Sequence, residues 1–348
     1  MKKITLFAVV AVAVISMLAV FALAGCTGAA AETTGAAAET TAAAAETTGA
    51  AAAEEGKTVV LLNIGMQSPY PPLYADNLEM RLGEAGIEMF MFDGEFDAQL
   101  QSSQMDDAIA MNPAAIVLFP VDSQALATGI KKAYDAGIPA IMGNGAPVEE
   151  SVQYTALYFG PNNEEEGKVA GETANELLPD GGNVVIVEGA TGQDASIGRT
   201  EGFKSVLNDG IEVLASQPAD WVKDEAVRVM SDFITSYGDK IDLIWSHSDD
   251  MGAGVGIALE EAGYEPGEIP SVSLGGSKAG MESISAGWIT HLIIQSPIDE
   301  TDQLAPFVIK IVEEGWKAGQ QWDPYWNFME TPVVDYESGS YEAYLPGF

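Results

Sequence analysis

Val184 to Trp221 reads VVIVEGATGQDASIGRTEGFKSVLNDGIEVLASQPADW, and this stretch decides the fold. It opens on an apolar run, turns through Gly189 to Gly192, and predicts a helix starting near Ser196 to Gly198 with Arg199 in its first turns. A second apolar run then ends in Gln217, Pro218, Ala219, Asp220 and Trp221. The order predicts one strand, helix, strand unit whose strands stop where polar and aromatic groups begin. In an open parallel sheet, ligands occupy the crevice outside the carboxyl ends of the strands, so Arg199 and Trp221 are both predicted there. The chain has only three arginines, Arg81, Arg199 and Arg228, which sets Arg199 apart from a surface charge. A guanidinium offers a fork of donors for hydroxyl or carboxylate oxygens, and an indole offers a flat apolar face to the C–H side of a ring. By themselves the two residues also fit a solvated arginine and a tryptophan filling a core gap.

The same alternation extends in both directions. Lys57 to Gly65 (KTVVLLNIG) is a continuous apolar strand followed by a loop, MQSPYPPLY, and a helix through Asn77 to Ala85. Strands at Ile87 to Phe92, Ala114 to Phe119, Ile138 to Met142 and Tyr154 to Phe159 alternate with helices through Ala98 to Ala110 and Ala125 to Ala136. The pattern then restarts with a helix from Glu164 to Leu178. It runs through strands at Asn183 to Val187, Ile211 to Ala215, Leu243 to Ser246, Ser271 to Leu274 and Ile289 to Ile294, and a helix from Asp299 to Trp316. Thr331 to Val334 reads as a last short strand. Strands that are apolar throughout and alternate with helices imply a parallel sheet covered on both faces. Two such halves predict two similar doubly wound α/β lobes.

The first residues are of another kind. Met1 to Gly25 carries Lys2 and Lys3, a long apolar run from Ile4 to Ala22 and small residues before Cys26, the pattern of a secretory signal removed on export. Leu23, Ala24, Gly25 and Cys26 resemble the lipobox of bacterial lipoproteins, which implies acylation of Cys26 and anchoring to a lipid bilayer. Cys26 is the only cysteine, so no intrachain disulfide is available. Residues 26–56 hold AAAETTG-like repeats with nothing bulky to bury and are read as a tether reaching on the order of 30 Å. The formal charge is −37, and loss of Lys2 and Lys3 makes it −39. Such a surface repels nucleic acid and anionic headgroups.

Several constellations have plainer readings. Gly275, Gly276, Ser277, Lys278 and Ala279, followed by His291, has the outline of a nucleophile elbow, but Glu282 is the only acid in the interval and falls in a predicted helix. It is read as a turn whose glycines allow close approach. Gly252, Gly254 and Gly256 have the wrong spacing for a dinucleotide loop and fit a helix packed closely on the sheet. His247 and His291 have no metal-like spacing, and His247 remains open as a cleft residue. Glu164 to Glu166 fit a helix N-terminus. Trp316, Trp322, Tyr325 and Trp326 are read as packing near a crossover.

The segments IKKAYDAGIPAIM, EEEGKVAGE, GRTEGFKSVL, VLASQPADW, SDDMGAGVGIALEEAG and LIIQSPID carry a resemblance. From about Thr58 to Val334 the body resembles the type 1 periplasmic solute-binding proteins, in particular the ribose-like sugar-binding components of ABC importers. The resemblance implies two lobes joined by three crossover strands, near Gly160 to Asn162, Gln295 to Pro297 and Asn327 to Thr331, with a ligand in the cleft between them. Lobe 1 is then 57–161 plus 296–328, and lobe 2 is 162–295 plus 329–348. It also implies ligand contacts at Ser68, Tyr70, Phe119, Asn144, Arg199, Trp221, Ser248, Asp249 and Gln295, with neither cofactor nor catalysis. Asn144 and Gly145 stand where ribose binders carry an Asp-Arg pair, Leu274 and Gly275 where they carry Phe-Asp, and Phe119 where Asn is usual. These departures point away from ribose to a different sugar-like ligand, larger or less polar. The expectation is an extracytoplasmic lipoprotein that binds a monosaccharide or polyol and serves an ABC permease. A sensor lipoprotein feeding a signalling receptor has the same sequence features.

Overall fold

The computed structural model describes residues 57–348, so the segment expected to be a signal, Cys26 and the repeats up to residue 56 lie outside the described residues. In chain order the first half runs β1 (Thr58–Asn63), α1 (Tyr70–Glu84), β2 (Glu88–Asp93), α2 (Ala98–Ala110), β3 (Ala115–Leu118), α3 (Ser123–Asp135), β4 (Ala140–Gly143), α4 (Glu149–Val152) and β5 (Leu157–Gly160). The second half runs α5 (Asn163–Leu177), β6 (Gly182–Glu188), α6 (Asp194–Val206), β7 (Ile211–Pro218), α7 (Lys223–Tyr237), β8 (Leu243–Ser246), α8 (Asp249–Ala262), β9 (Ser271–Gly275), α9 (Lys278–Ser285) and β10 (His291–Ile294). Then come α10 (Pro297–Glu313), β11 (Trp326–Phe328) and β12 (Val333–Asp335).

Among the described residues the strands form two six-stranded sheets, ordered β11-β5-β4-β3-β1-β2 and β12-β10-β9-β8-β6-β7. All pairings are parallel except that of β12 with β10. The chain passes between the sheets three times, after Gly160, after Ile294 and after Phe328. Each sheet is doubly wound. In β1, Val59 and Leu61 pack with α1 and α10 on one face, while Val60 and Leu62 pack with α2 and α3 on the other. In β6, Val185 and Val187 face α7 and α8, while Val184 and Ile186 face Ala170 and Ala174 of α5 and Phe203 of α6. These eight side chains are fully buried, which is why the strands read apolar without alternation, and each contributes about 1.5–3 kcal/mol.

Helix α1 begins at Tyr70, seven residues before the sequence expectation and inside the stretch expected as loop. The prolines of that stretch occupy its first turn, where an amide hydrogen has no intrahelical partner to lose. Before β5, the residues at the start of the expected strand 154–159 are instead a turn after α4. The short strand β11 was not expected. Its aromatic side chains stack along the edge, with Trp326 on Phe328 and both rings against Tyr158 of β5. Trp316 and Trp322 stack on each other, and Trp322 packs edge-on against Phe307 of α10.

Two helix contacts are made by glycine. On α5 and α6, a Cβ at Gly167 would collide with the carbonyl of Arg199, and one at Gly202 with the carbonyl of Glu164. On α8, side chains at Gly252, Gly254 and Gly256 would strike Ser273, Lys223 and Trp288, so these three are packing positions. Glycine to alanine inside a helix normally stabilises by about 1 kcal/mol. Gly202→Ala is expected to reverse that sign and cost about 1–3 kcal/mol by pushing α5 from α6. Urea unfolding measures it, and a gain in stability would show that the helices have room to spare.

Candidate functional site

The carboxyl ends of both sheets point at one cavity of about 120 Å³ between the lobes. After β1 come Ile64 and Ser68 to Pro71; after β3, Phe119 to Val121; after β4, Asn144 and Gly145. From lobe 2, Gln193 to Ala195 and Arg199 follow β6, Trp221 follows β7, Ser248 to Asp250 follow β8, and Leu274 and Gly275 end β9. Gln295 enters from the crossover after β10. Strand ends converge here because every parallel strand runs the same way and each βα loop leaves its first residues exposed to the crevice. All nine residues singled out from the sequence, Ser68, Tyr70, Phe119, Asn144, Arg199, Trp221, Ser248, Asp249 and Gln295, line this one cavity.

Their polar groups are largely committed to one another. Arg199 is 5% exposed. Its Nε donates to Glu166 at 3.0 Å, one terminal nitrogen to the His247 carbonyl at 2.8 Å, and the other to Gln295 Oε1 at 2.7 Å. Of the five donors of a guanidinium, at most two remain for a guest. Gln295 passes the network on, donating through Nε2 to the Tyr70 hydroxyl at 3.2 Å. Tyr70 donates to Glu300 at 2.6 Å, and Asn144 Nδ2 donates to the same carboxyl oxygen at 2.8 Å. A continuous chain of contacts therefore runs Glu166, Arg199, Gln295, Tyr70, Glu300, Asn144, from α5 of one lobe through the crossover to β4 and α10 of the other.

Burial sets the protonation of this network. It pushes Glu300 up to about 8, against the opposing hydrogen bonds from Tyr70 and Asn144. Burial, then the charge of Glu300, raises Tyr70, which keeps the phenol a donor. Glu166 is likewise raised by burial, with Arg199 opposing. Asp249 is raised to about 6 by burial although the amides of Gly276 and Ser277 donate to its Oδ2 at 2.8 and 2.7 Å. That contact explains the glycine turn: a Cβ on Gly275 would collide with the Asp249 carboxyl. Ser277 caps α9 through a hydrogen bond from Gly280.

The indole of Trp221 lies over Gly189, where a Cβ would strike its ring. Its Nε1 donates to Gln193, and the Arg199 guanidinium stands 5.7 Å from the ring centre. Trp221 and Asp220 adopt left-handed backbone angles, φ 61° and 51°, an uncommon conformation for a bulky residue and one retained where surroundings over-determine it. His247, left open as a cleft residue, does not line the cavity. It is fully buried beneath it, accepting from the Gly189 amide, and burial followed by Arg199 holds its pKa well below the usual value.

Sequence reasoning missed Asp194, whose Oδ2 accepts from Asn163 at 2.8 Å and from the Ala146 amide of the opposite lobe at 3.3 Å. It also missed Glu300 and the pairing of Glu166. Neither carries a local signal, because each finds its partner across the fold. Phe348, which also lines the cavity, was missed as well.

The model of a periplasmic binding protein domain matches residues 59–315. A xylitol-binding protein of Mycolicibacterium smegmatis is 32% identical over 58% of this chain, a match spanning 57% of that protein's length. The fructose import binding protein of Bifidobacterium longum is 26% identical, covering 70% of this chain and 75% of that protein. The ribose import binding protein of Escherichia coli is 26% identical, covering 69% and 79%. Among solved structures, a galactofuranose-binding protein shares the fold with a TM-score of 0.76 at 21% identity, covering 83% of this chain and 97% of that one. A solute-binding protein of Bacillus halodurans with bound myo-inositol does so at 0.75 and 23%, covering 84% and 99%. With a match over most of its length, two parallel-sheet lobes and a cavity at their facing strand ends, the chain belongs to the periplasmic binding protein family.

Proposed function

We propose that this chain is the extracytoplasmic substrate-binding component of an ABC importer and holds a monosaccharide or related polyol between its lobes. The observation that carries the reading is the cavity itself, with Tyr70 and Phe119 on the lobe 1 side and Trp221 and Arg199 on the lobe 2 side. Relatives named for xylitol, fructose and ribose support the ligand class. In this reading the protein binds and releases its ligand without turning it over. Ring faces of Tyr70, Phe119 and Trp221 cover the apolar side of the guest. Asn144 Oδ1, Ser68, Ser248, Asp249, Gln295 and the free donors of Arg199 meet its hydroxyls. A guest that touches both lobes stabilises the closed arrangement only, so binding shifts the population toward the form presented to a permease. Export through residues 1–25 and lipid anchoring at Cys26 belong to the same reading, supported by the apolar run and the Leu-Ala-Gly-Cys motif.

Isothermal titration against pentoses, hexoses, pentitols and myo-inositol tests it. One of these is expected to bind at micromolar Kd or tighter, and silence across the panel would remove the sugar reading. Trp221→Ala is expected to weaken the tightest of them by about 2 kcal/mol, roughly thirtyfold. Unchanged affinity would show that the indole is only packing.

A further inference from the structure

Every cavity residue but one ends a parallel strand or lies in the segment that follows it. The exception is Phe348, more than fifty residues beyond Gln295 in sequence. Its segment crosses the face of lobe 2 and is pinned there by backbone: the Phe348 amide donates to the Gly276 carbonyl at 3.0 Å, and the Lys278 amide donates to the Phe348 carbonyl at 3.1 Å. Gly347 makes the approach possible. It takes φ 90°, and a Cβ there would stand 2.8 Å from both the Gly276 carbonyl oxygen and a carbon of Met281. The ring reaches over Gly276, where an added Cβ would sit 3.3 Å from it, and meets Tyr70 of lobe 1 edge-on with centroids 6.0 Å apart. Phe348 is half-buried and lines the cavity.

We infer that Phe348 is a specificity-determining wall of the binding site, held by lobe 2 and reaching Tyr70 across the cleft, so that it sets the size of the guest. The selectivity part rests on the function proposed above; the bridge to Tyr70 does not. The physical basis is direct. An edge-on aromatic pair is favourable beyond the area it buries, and this one forms only when the lobes are near each other. The same ring presents apolar surface where a larger guest would need space.

Phe348→Ala in the full chain separates the two parts. In ligand-free protein, amide exchange is expected to quicken at 275–278 and, across the cleft, at Tyr70, Leu73 and Tyr74, with exchange elsewhere unchanged. Exchange at Tyr70, Leu73 and Tyr74 identical to the parent would overturn the bridge. Both proteins are then titrated with the sugar and polyol panel, extended by disaccharides and L-amino acids. The variant is expected to bind the parent's tightest ligand about tenfold more weakly and to gain a larger one. Phe348→Leu is expected to fall between. Unchanged affinities and selectivity would overturn the wall, and tighter binding of every ligand would overturn it too, since the ring would then be a plug. If the parent takes only an amino acid, the sugar reading falls while the comparison on that amino acid still judges Phe348. If it takes nothing, the wall falls with the proposed function, and exchange at Tyr70, Leu73 and Tyr74 judges the bridge alone.

Discussion

Arg199→Met is expected to destabilise the protein by about 3–5 kcal/mol, the largest loss of any single substitution in the cleft. Methionine fills much of the same volume but leaves Glu166, 1% exposed, without its partner, and strips a donor from the His247 carbonyl and from Gln295. A buried carboxyl in that position takes up a proton or opens the α5–α6 contact to water, and both cost free energy. Thermal unfolding monitored by tryptophan fluorescence reads the loss as a midpoint shift on the order of 10 °C. The double variant Glu166→Leu with Arg199→Met removes both charges. It is expected to be more stable than Arg199→Met alone, because the loss is mainly the unpaired charge and not the pair. Strict additivity of the two single changes would show that the guanidinium stabilises through packing on Trp221 and not through Glu166.

Glu300→Gln is expected to change how stability depends on pH. Burial raises Glu300 from 4.5 to about 8, so between those values the folded protein holds a proton that the unfolded chain has released. Stability from this group is therefore fully present below about pH 4.5 and is lost as pH rises toward 8. Glutamine keeps an acceptor for Tyr70 and Asn144 and cannot ionise. The stability of the variant minus that of the parent is expected to rise by about 3–5 kcal/mol between pH 4.5 and 8. Buried hydrogens on the glutamine shift the whole difference curve, since Glu300 Oε1 has no partner to offer them, but leave its slope alone. Asp249 and Glu166, also raised, add slope of the same sign, and His247, lowered, adds the opposite sign below about pH 6.5. All three are present in both proteins and cancel in the difference. A flat difference curve would mean that Glu300 is ionised and well solvated in the native state.

These two residues mark where the sequence stops speaking. Apolar runs such as VVLL and VVIV announce strands buried on two faces, and their alternation with helices announces parallel sheets, because crossover helices cover both faces of such a sheet. From parallel order, the cavity at the carboxyl ends follows, and with it the placement of Arg199 and Trp221, whereas Tyr70, Phe119 and Asn144 were placed there by the family resemblance. Local chemistry was less secure at Tyr70, where the stretch expected as a loop opens a helix with prolines in its first turn. Glu166 sat in an acidic run that a helix dipole explains equally well, and Glu300 looked like one carboxylate among many.

By itself, then, the sequence determined the sheets, their direction and the ring of loops around the cavity, because periodicity and chain order act over a few residues at a time. The tertiary structure alone decided that Glu166 meets Arg199, that Glu300 is sealed under Tyr70 and Asn144, and that Phe348 returns to the cleft. Those contacts join residues far apart in the chain, and they depend on helix approach, burial and backbone pinning that no local pattern encodes.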